Sequence, residues 1–207
     1  MALIHQATLH PTKLQLLSDW LPTRSWYDGP KGEVQRVATY RFDDPADAVG
    51  LETMLVRIGD GPVYQVPLTY REAPLDGADD LLLGTADHSV LGKRWIYDGT
   101  GDPVFVGELA KAIVANTGQA EQFTQIGDRL EPRELSMSIV SNAAADAPVP
   151  TVGAIQKVVD TDPTVITTDT VELVIMRRLD TAPDLAGTVL TGTWSGQDAP
   201  ITLASAR

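Results

Sequence analysis

Few side chains in this sequence are arranged as catalytic motifs require. His5, His10 and His88 are too far apart for metal-ligand spacing, and none belongs to an H-E-x-x-H pattern. Gly92-Lys93 lacks the earlier glycine and the following hydroxyl residue of a phosphate-binding loop. Residues 193–196 do not form the G-x-S-x-G turn that exposes a nucleophilic serine. We therefore expect no catalytic residue, no metal and no cofactor.

The acidic run at residues 76–80 resembles the start of a calcium loop. In a 12-residue loop beginning at Asp76, however, the sixth position is Leu81 where glycine is needed, and the twelfth is Asp87 rather than glutamate. The run is therefore interpreted as a solvated turn. The absence of cysteine excludes disulfides and thiolate chemistry.

Aromatic residues near turns offer a second kind of chemistry, because an aromatic face can stack on a sugar ring. The sequence has four tryptophans and five tyrosines, and such side chains more often pack in a core. The candidate ligand or partner surface combines aromatic, histidine and aspartate residues close to predicted turns. Its members are Trp26, Tyr27, His88, Trp95, Tyr97 and Asp98.

Composition limits the partners of the chain. A formal net charge of −12 over 207 residues repels polyanions, so we expect no nucleic-acid partner. No stretch approaches the roughly 18 apolar residues of a membrane span, and the first ten residues lack a basic leader. We expect a cytoplasmic protein with no membrane partner.

Hydrophobic periodicity predicts the elements that position these residues. Leu14, Leu17 and Leu21 predict a short helix over 13–21, with Thr12 as its cap and Pro22 as its end. A second helix is predicted over 103–116, with Asp102 as cap. Five β-branched or aromatic segments separated by turns predict antiparallel strands at 34–42, 51–58, 63–70, 81–85 and 93–97.

The second half is predicted to be nearly all strand. After a strand over 134–141, the small, proline-bearing segment 142–150 predicts an exposed loop. Short strands are predicted at 155–159, 165–166, 171–176, 189–194 and 201–203. The expected fold class is α+β with mainly antiparallel sheets, the longer helix packed on one face of the N-terminal sheet, and a second sheet or barrel from about residue 132. Residues 1–131 and 132–207 are predicted subdomains that either fold separately or share one core.

Several runs resemble the N-terminal cap of the actinobacterial maltokinase and glucosamine kinase family. The similarity covers about residues 12–125 and is carried by seven segments: DWLP at 19–22, WY at 26–27, YQVPLTYR at 64–71, LGT at 83–85, HSVLG at 88–92, RWIYDG at 94–99 and DPV at 102–104. A weaker similarity, at 164–165 and over ELVIMRRLD at 172–180, resembles the kinase strand that carries an ATP-binding lysine. Val174, or Ile175 in a register shifted by one, stands where that lysine would be.

The resemblance implies that the chain has no kinase activity. Phosphoryl transfer needs a cation on the phosphates, carboxylates that hold magnesium and a catalytic aspartate. The strand lysine is missing, and none of the histidines begins an H-x-D sequence. We expect no role for Asp160 and Asp162 in catalysis, because the C-terminal lobe with which they would bind a nucleotide is not recognised in this sequence. We therefore expect that the protein is not an enzyme.

Three functional hypotheses follow. The resemblance implies a non-catalytic accessory or regulatory protein near trehalose, α-glucan or amino-sugar metabolism, with a sugar kinase or an α-glucan or trehalose enzyme as partner. The alternative is a small module that binds a carbohydrate or another metabolite through aromatic faces and nearby aspartates. A hydrolase or transferase of another kind is disfavoured, because no nucleophile, base and orienting group can be named.

Overall fold

The computed structural model describes residues 2–4, 7–126, 129–144, 146–180 and 185–207. The first half contains, in chain order, β1 (Ala2–Ile4), β2 (Leu9–His10), α1 (Lys13–Trp20), β3 (Val34–Phe42), β4 (Gly50–Ile58), β5 (Tyr64–Arg71), β6 (Leu82–His88), β7 (Gly92–Asp98), α2 (Pro103–Val114), β8 (Gln122–Ile126) and β9 (Arg129–Pro132). The second half contains β10 (Met137–Ser141), β11 (Ile155–Val159), β12 (Thr164–Thr168), β13 (Glu172–Ile175), β14 (Thr188–Trp194) and β15 (Gln197–Ala206). Short 3₁₀ helices cover Leu21–Thr23, Asp79–Leu81 and Gly99–Gly101.

The first large sheet is antiparallel and has six strands in the order β2-β6-β7-β5-β4-β3. Strand β7 lies between β5 and β6, so the sheet departs from a simple meander. Successive residues of β4 enter different buried clusters, with Leu55 on the α2 side and Met54 on the α1 side. Because both faces are covered, the central strands have long buried runs rather than an alternation of buried and exposed positions.

The second large sheet is also antiparallel, with the order β10-β14-β15-β13-β12-β11. In β10, Met137, Ile139 and Ser141 are buried, whereas Ser138 and Val140 are exposed. This alternation places one face of the strand against the core. The predicted α+β class with antiparallel sheets is confirmed, and the second half is a sheet rather than a barrel.

Helix α2 packs against both large sheets. Its buried side chains, which include Phe105, Leu109 and Ile113, belong to one cluster with Tyr40 of the first sheet and Leu203 of the second. An amphipathic helix on the surface of a single sheet would leave one side polar, whereas α2 is apolar around most of its circumference. The prediction that α2 packs on the N-terminal sheet is therefore confirmed but incomplete, because the second sheet packs on the helix as well.

Strands β1, β2, β8 and β9 were not predicted. Strand β1 pairs in parallel with β8, which in turn pairs with β9, and β2 adds two residues to the edge of the first large sheet. These four strands show no alternation of apolar and polar residues long enough to identify them from the sequence. The described part of segment 142–150 contains neither helix nor strand. The division into subdomains at residue 131 stays a prediction.

Neither helix in the described part of the chain is both long and apolar enough to span a bilayer.

Candidate functional site

Arg177 is the centre of a buried polar cluster where the two large sheets meet. Its side chain is fully buried, and its Nη2 lies 2.6 Å from Oδ2 of Asp98, which is equally buried. Its Nε donates to the Thr164 hydroxyl at 2.7 Å, and Nη2 lies 3.4 Å from Oδ1 of Asp160. The guanidinium thus neutralises a carboxylate that would otherwise be buried without a counter-charge.

Local structure explains the position of Asp98. It is the last residue of β7 and the cap of the 3₁₀ helix Gly99–Gly101, and its Oδ1 accepts hydrogen bonds from the Thr100 amide and hydroxyl. The second carboxylate oxygen is left to accept from Arg177. One aspartate therefore ends a strand, caps the following turn and binds the second sheet.

Trp26 covers the Arg177 guanidinium. The guanidinium carbon lies 4.8 Å from the Trp26 ring centroid, and the indole nitrogen donates to Oδ1 of Asp160 at 2.6 Å. Trp26 is 8% exposed, so the cation–π contact is largely shielded from water. Because its nitrogen and one ring face are engaged within the protein, Trp26 is part of this junction rather than an open stacking platform.

Tyr27 lies in an outer layer of the same region. Its ring centroid is 4.8 Å from that of Tyr64, whose hydroxyl donates to Asp28. Burial, followed by the hydrogen bond and the charge of Asp28, raises the pKa of Tyr64 above its usual value. Arg178 binds Asp28 as well, and it pairs with Asp180 through two nitrogens. This outer layer is charged and partly exposed.

Gln65 provides a further connection between the two sheets. Its fully buried side-chain amide donates to the carbonyls of Met176 and Leu203, both at 2.9 Å. Its carbonyl oxygen lies 3.3 Å from the hydroxyl of Tyr40, whose pKa is raised by burial to about 12. In addition, the backbone N–H of Gln65 donates to the backbone carbonyl of Arg177 at 2.7 Å. The junction is therefore held by backbone and side chains together.

The other three candidate residues lie apart from Arg177. His88 organises the β6–β7 turn, since its Nδ1 accepts from the Val90 and Leu91 amides. The Tyr97 hydroxyl is buried and accepts from the Leu75 amide at 2.9 Å. Trp95 is half-buried, and the Lys93 ammonium lies 4.8 Å from its ring centroid.

The structure does not bring all six candidates into one surface. The Tyr27 ring packs against Tyr64 at the start of β5, whereas Trp95 is opposite Arg71, at the end of β5, in the β5–β7 strand pairing. Seven residue steps at roughly 3.3 Å each separate the two ends of β5 by about 23 Å. Trp26, Tyr27 and Asp98 belong to the junction region, and His88 and Trp95 belong to the β6–β7 hairpin. Their roles in binding stay predictions.

Sequence reasoning did not single out Arg177 as a site residue. The only local signal is its place directly after the apolar run 173–176, because a charge that is buried among apolar residues needs an opposite charge. Its main partner, Asp98, is 79 positions away in the sequence. Sequence motifs based on short residue spacing therefore cannot identify this ion pair.

Strand β13, for which a resemblance to the kinase lysine strand was predicted, is part of the folded core. In β13, Leu173 and Ile175 belong to the cluster under α2, and Val174 is 5% exposed. The cation nearest in sequence is Arg177, which is enclosed and already paired with Asp98. Val174 provides no charge that could bind a phosphate group.

Comparison with known proteins identifies one domain. Residues 20–102 match the family model described as the maltokinase N-terminal cap domain. The predicted resemblance is confirmed over this segment, which covers less than half of the chain and includes Trp26, Tyr27 and Asp98. A search of curated proteins finds no match.

Proposed function

We propose that this chain, with a maltokinase-type cap in its first half, is a non-catalytic accessory or regulatory protein that acts near trehalose, α-glucan or amino-sugar metabolism. Its partner in this proposal is a sugar kinase of the related type, or an enzyme that acts on α-glucan or trehalose. The protein contributes binding or regulation and transfers no phosphate itself.

The junction around Arg177 is the observation that carries this proposal. Asp98 belongs to the cap segment, and Arg177 follows β13 by two residues, so their ion pair joins the cap segment to the second large sheet. In the predicted resemblance of β13 to a kinase strand, Val174 or Ile175 stands where the ATP-binding lysine would be, and Arg177, the next cation along the chain, is fully buried. These features favour a structural role for the second sheet over nucleotide chemistry.

The β6–β7 turn offers an exposed surface for a partner. Val90 and Leu91 at its tip are 59% and 44% exposed, and the turn is organised by His88 and by the hydrogen bond from the Thr8 amide to the Ser89 hydroxyl. Exposed apolar side chains on an ordered turn suit a protein contact, because their removal from water favours association. The turn lies within the cap segment.

Affinity purification of the tagged protein from its native cells tests the proposal. We expect a sugar kinase or an α-glucan or trehalose enzyme to be recovered in near-stoichiometric amount. The Val90→Ser/Leu91→Ser variant should lose that partner, whereas the control Val149→Ser, at a residue 61% exposed elsewhere, should retain it. Recovery of no such enzyme would overturn the accessory role.

A phosphoryl-transfer assay tests the non-catalytic part separately. Purified protein incubated with ATP, Mg²⁺ and either maltose or glucosamine should form no sugar phosphate above the protein-free control. Product formation that scales with protein concentration and persists after further purification would contradict this part of the proposal.

A carbohydrate-binding module is the second candidate function. The observation in its favour is that the rings of Tyr27 and Trp95 remain partly accessible. Titration with maltose or glucosamine should then change tryptophan fluorescence, and Trp95→Phe should abolish the change. A response that Trp95→Phe leaves intact would place binding elsewhere.

A further inference from the structure

A groove runs between the first large sheet and the turn that connects β14 to β15. Its narrower part is a cavity of about 480 Å³ lined by residues of β3 and β4, by Val63 and by the turn at 194–197. A wider cavity of about 710 Å³ continues from it towards the segment before β10. Arg36, Val37, Trp194 and Ser195 line both cavities, so they form one continuous groove.

The narrower cavity is positively charged in an otherwise acidic protein. Arg36 and Arg57 line it, and no carboxylate does. Neither arginine side chain has an ion pair or hydrogen bond to another residue in the part of the chain that the structure describes. By contrast, Arg41, Arg71 and Arg177 each pair with a carboxylate. With a net charge of −12, two uncompensated guanidinium groups in one concave site favour an anion.

Backbone irregularity places the first arginine in the groove. The pairing of β3 with β4 shifts by one residue between Arg36 and Ala38, which makes Val37 the extra residue of a β-bulge. A bulge re-aims neighbouring side chains and occurs often beside functional sites. Arg36 is opposite Val56 and Arg57 is opposite Gln35, so the two arginines occupy adjacent positions of the β3–β4 pair, and both line the narrower cavity.

Trp194 forms the opposite wall. Its ring is half-buried and packs against the main core cluster, and it also lines the cavity. The turn after it is held by Gly196 at φ 83°, a conformation that favours glycine. The turn therefore presents an indole together with the polar side chains of Ser195 and Gln197. A fixed aromatic face beside guanidinium groups suits a ligand with both a ring and an anionic group.

We propose that the narrower cavity binds a small phosphorylated molecule with a ring-shaped body. Arg36 and Arg57 bind the phosphate, and the ring lies against Trp194. The volume is in the range of roughly 300–1,000 Å³ usual for small-molecule sites. The groove combines residues of the cap segment with the turn at 194–197, which lies outside the matched range. The proposal is independent of the accessory function, because it requires no protein partner.

Phenyl phosphate is the probe for this site, measured by isothermal titration calorimetry at low ionic strength. We expect saturable binding that weakens as salt is added, with inorganic phosphate and benzoate both binding more weakly. Arg36→Gln and Arg57→Gln should each weaken phenyl phosphate binding at least tenfold. Arg94→Gln removes the same charge at a position that lines neither cavity, and it should leave the affinity within about twofold.

Three results would overturn the proposal: no saturable binding of phenyl phosphate, equal losses in Arg94→Gln and in the groove variants, or benzoate binding as tightly as phenyl phosphate. Circular dichroism of each variant establishes that it is folded, and we expect folded variants because Arg36 and Arg57 are exposed.

Trp194→Leu tests the aromatic part of the site separately from the two arginines. It should reduce phenyl phosphate affinity to that of inorganic phosphate, and an unchanged affinity would contradict the stacking role.

Discussion

Arg177 and Asp98 form an ion pair from which solvent is fully excluded, and the pair joins the cap segment to the second large sheet. The Asp98 carboxylate caps a 3₁₀ turn with its other oxygen, and the Arg177 guanidinium is covered by Trp26. A pair enclosed in this way contributes little net free energy compared with an apolar pair, but it is costly to break. It therefore favours the one arrangement of the two sheets in which both charges are compensated.

Replacing Arg177 by methionine should destabilise the protein strongly. The substitution leaves Asp98 buried without its cation, and we expect a loss of about 3–5 kcal/mol in the free energy of unfolding. Urea denaturation followed by circular dichroism measures this loss without depending on Trp26 fluorescence. Arg207→Met, which removes the exposed pair with Glu172, should cost less than about 1 kcal/mol.

A double-mutant cycle tests the coupling between the two residues. Asp98→Asn retains the oxygen that accepts from Thr100 and removes the charge. The Arg177→Met/Asp98→Asn variant should therefore be more stable than the sum of the two single losses implies. Additive losses would show that the ion pair is not what links the two sites.

Gln65→Leu should weaken the attachment of the second sheet. The change leaves the Met176 and Leu203 carbonyls without their buried donor, and each unsatisfied group costs about 1–3 kcal/mol. Native-state hydrogen exchange should become faster in β13 and β15 than in β6 and β7. Gln156→Leu is the matched control, since Gln156 donates from an exposed side chain. Equal exchange in both variants would contradict the role of Gln65.

Local patterns predicted most of the fold. The predicted strands 34–42 and 155–159 have the observed bounds, because turn residues flank apolar segments at both ends. Helix α2 ends at Val114, two residues before the predicted end, and Asn116 adopts a positive φ of 49°. The position of β7 between β5 and β6 could not be predicted, because hairpin lengths do not determine strand order.

The candidate site was less predictable than the fold. The predicted surface contained Trp26 and Asp98, which do lie in one cluster, but the residue that joins them is Arg177. The Arg36 and Arg57 groove depends on a bulge and on a turn more than 130 residues further along the chain. Neither relationship leaves a periodic signal, because both arise from the packing of distant elements.

Asp102→Ala should cost more than the loss of an ordinary helix cap. Asp102 accepts from the Val104 amide at the start of α2, and its two oxygens also bind Arg71 at 2.6 and 2.7 Å. We expect a loss of about 2–4 kcal/mol in the free energy of unfolding, measured by urea denaturation. Thr12→Ala, which removes the cap of α1, should cost about 1 kcal/mol. Equal stability of Asp102→Ala and Thr12→Ala would contradict the additional stabilising role of the Asp102–Arg71 pair.

The Glu52 carboxylate should make the stability of the protein depend on acidic pH. Burial alone raises its pKa, but the charges of Lys13 and Arg41 and hydrogen bonds from Lys13 and Tyr70 lower the pKa from 4.5 to about 2. Because the folded-state pKa is depressed, this stabilisation is fully present above about pH 4.5 and is lost as the pH falls towards 2.

Glu52→Gln should therefore cost about 3 kcal/mol near pH 7, and urea denaturation should show the difference from the parent protein shrinking between pH 4.5 and pH 2. Glu108→Gln, which removes only the i,i+3 pair with Lys111, should cost less than about 0.5 kcal/mol. A Glu52→Gln cost that stays constant from pH 7 to pH 2 would mean that this carboxylate is not held ionised by its partners.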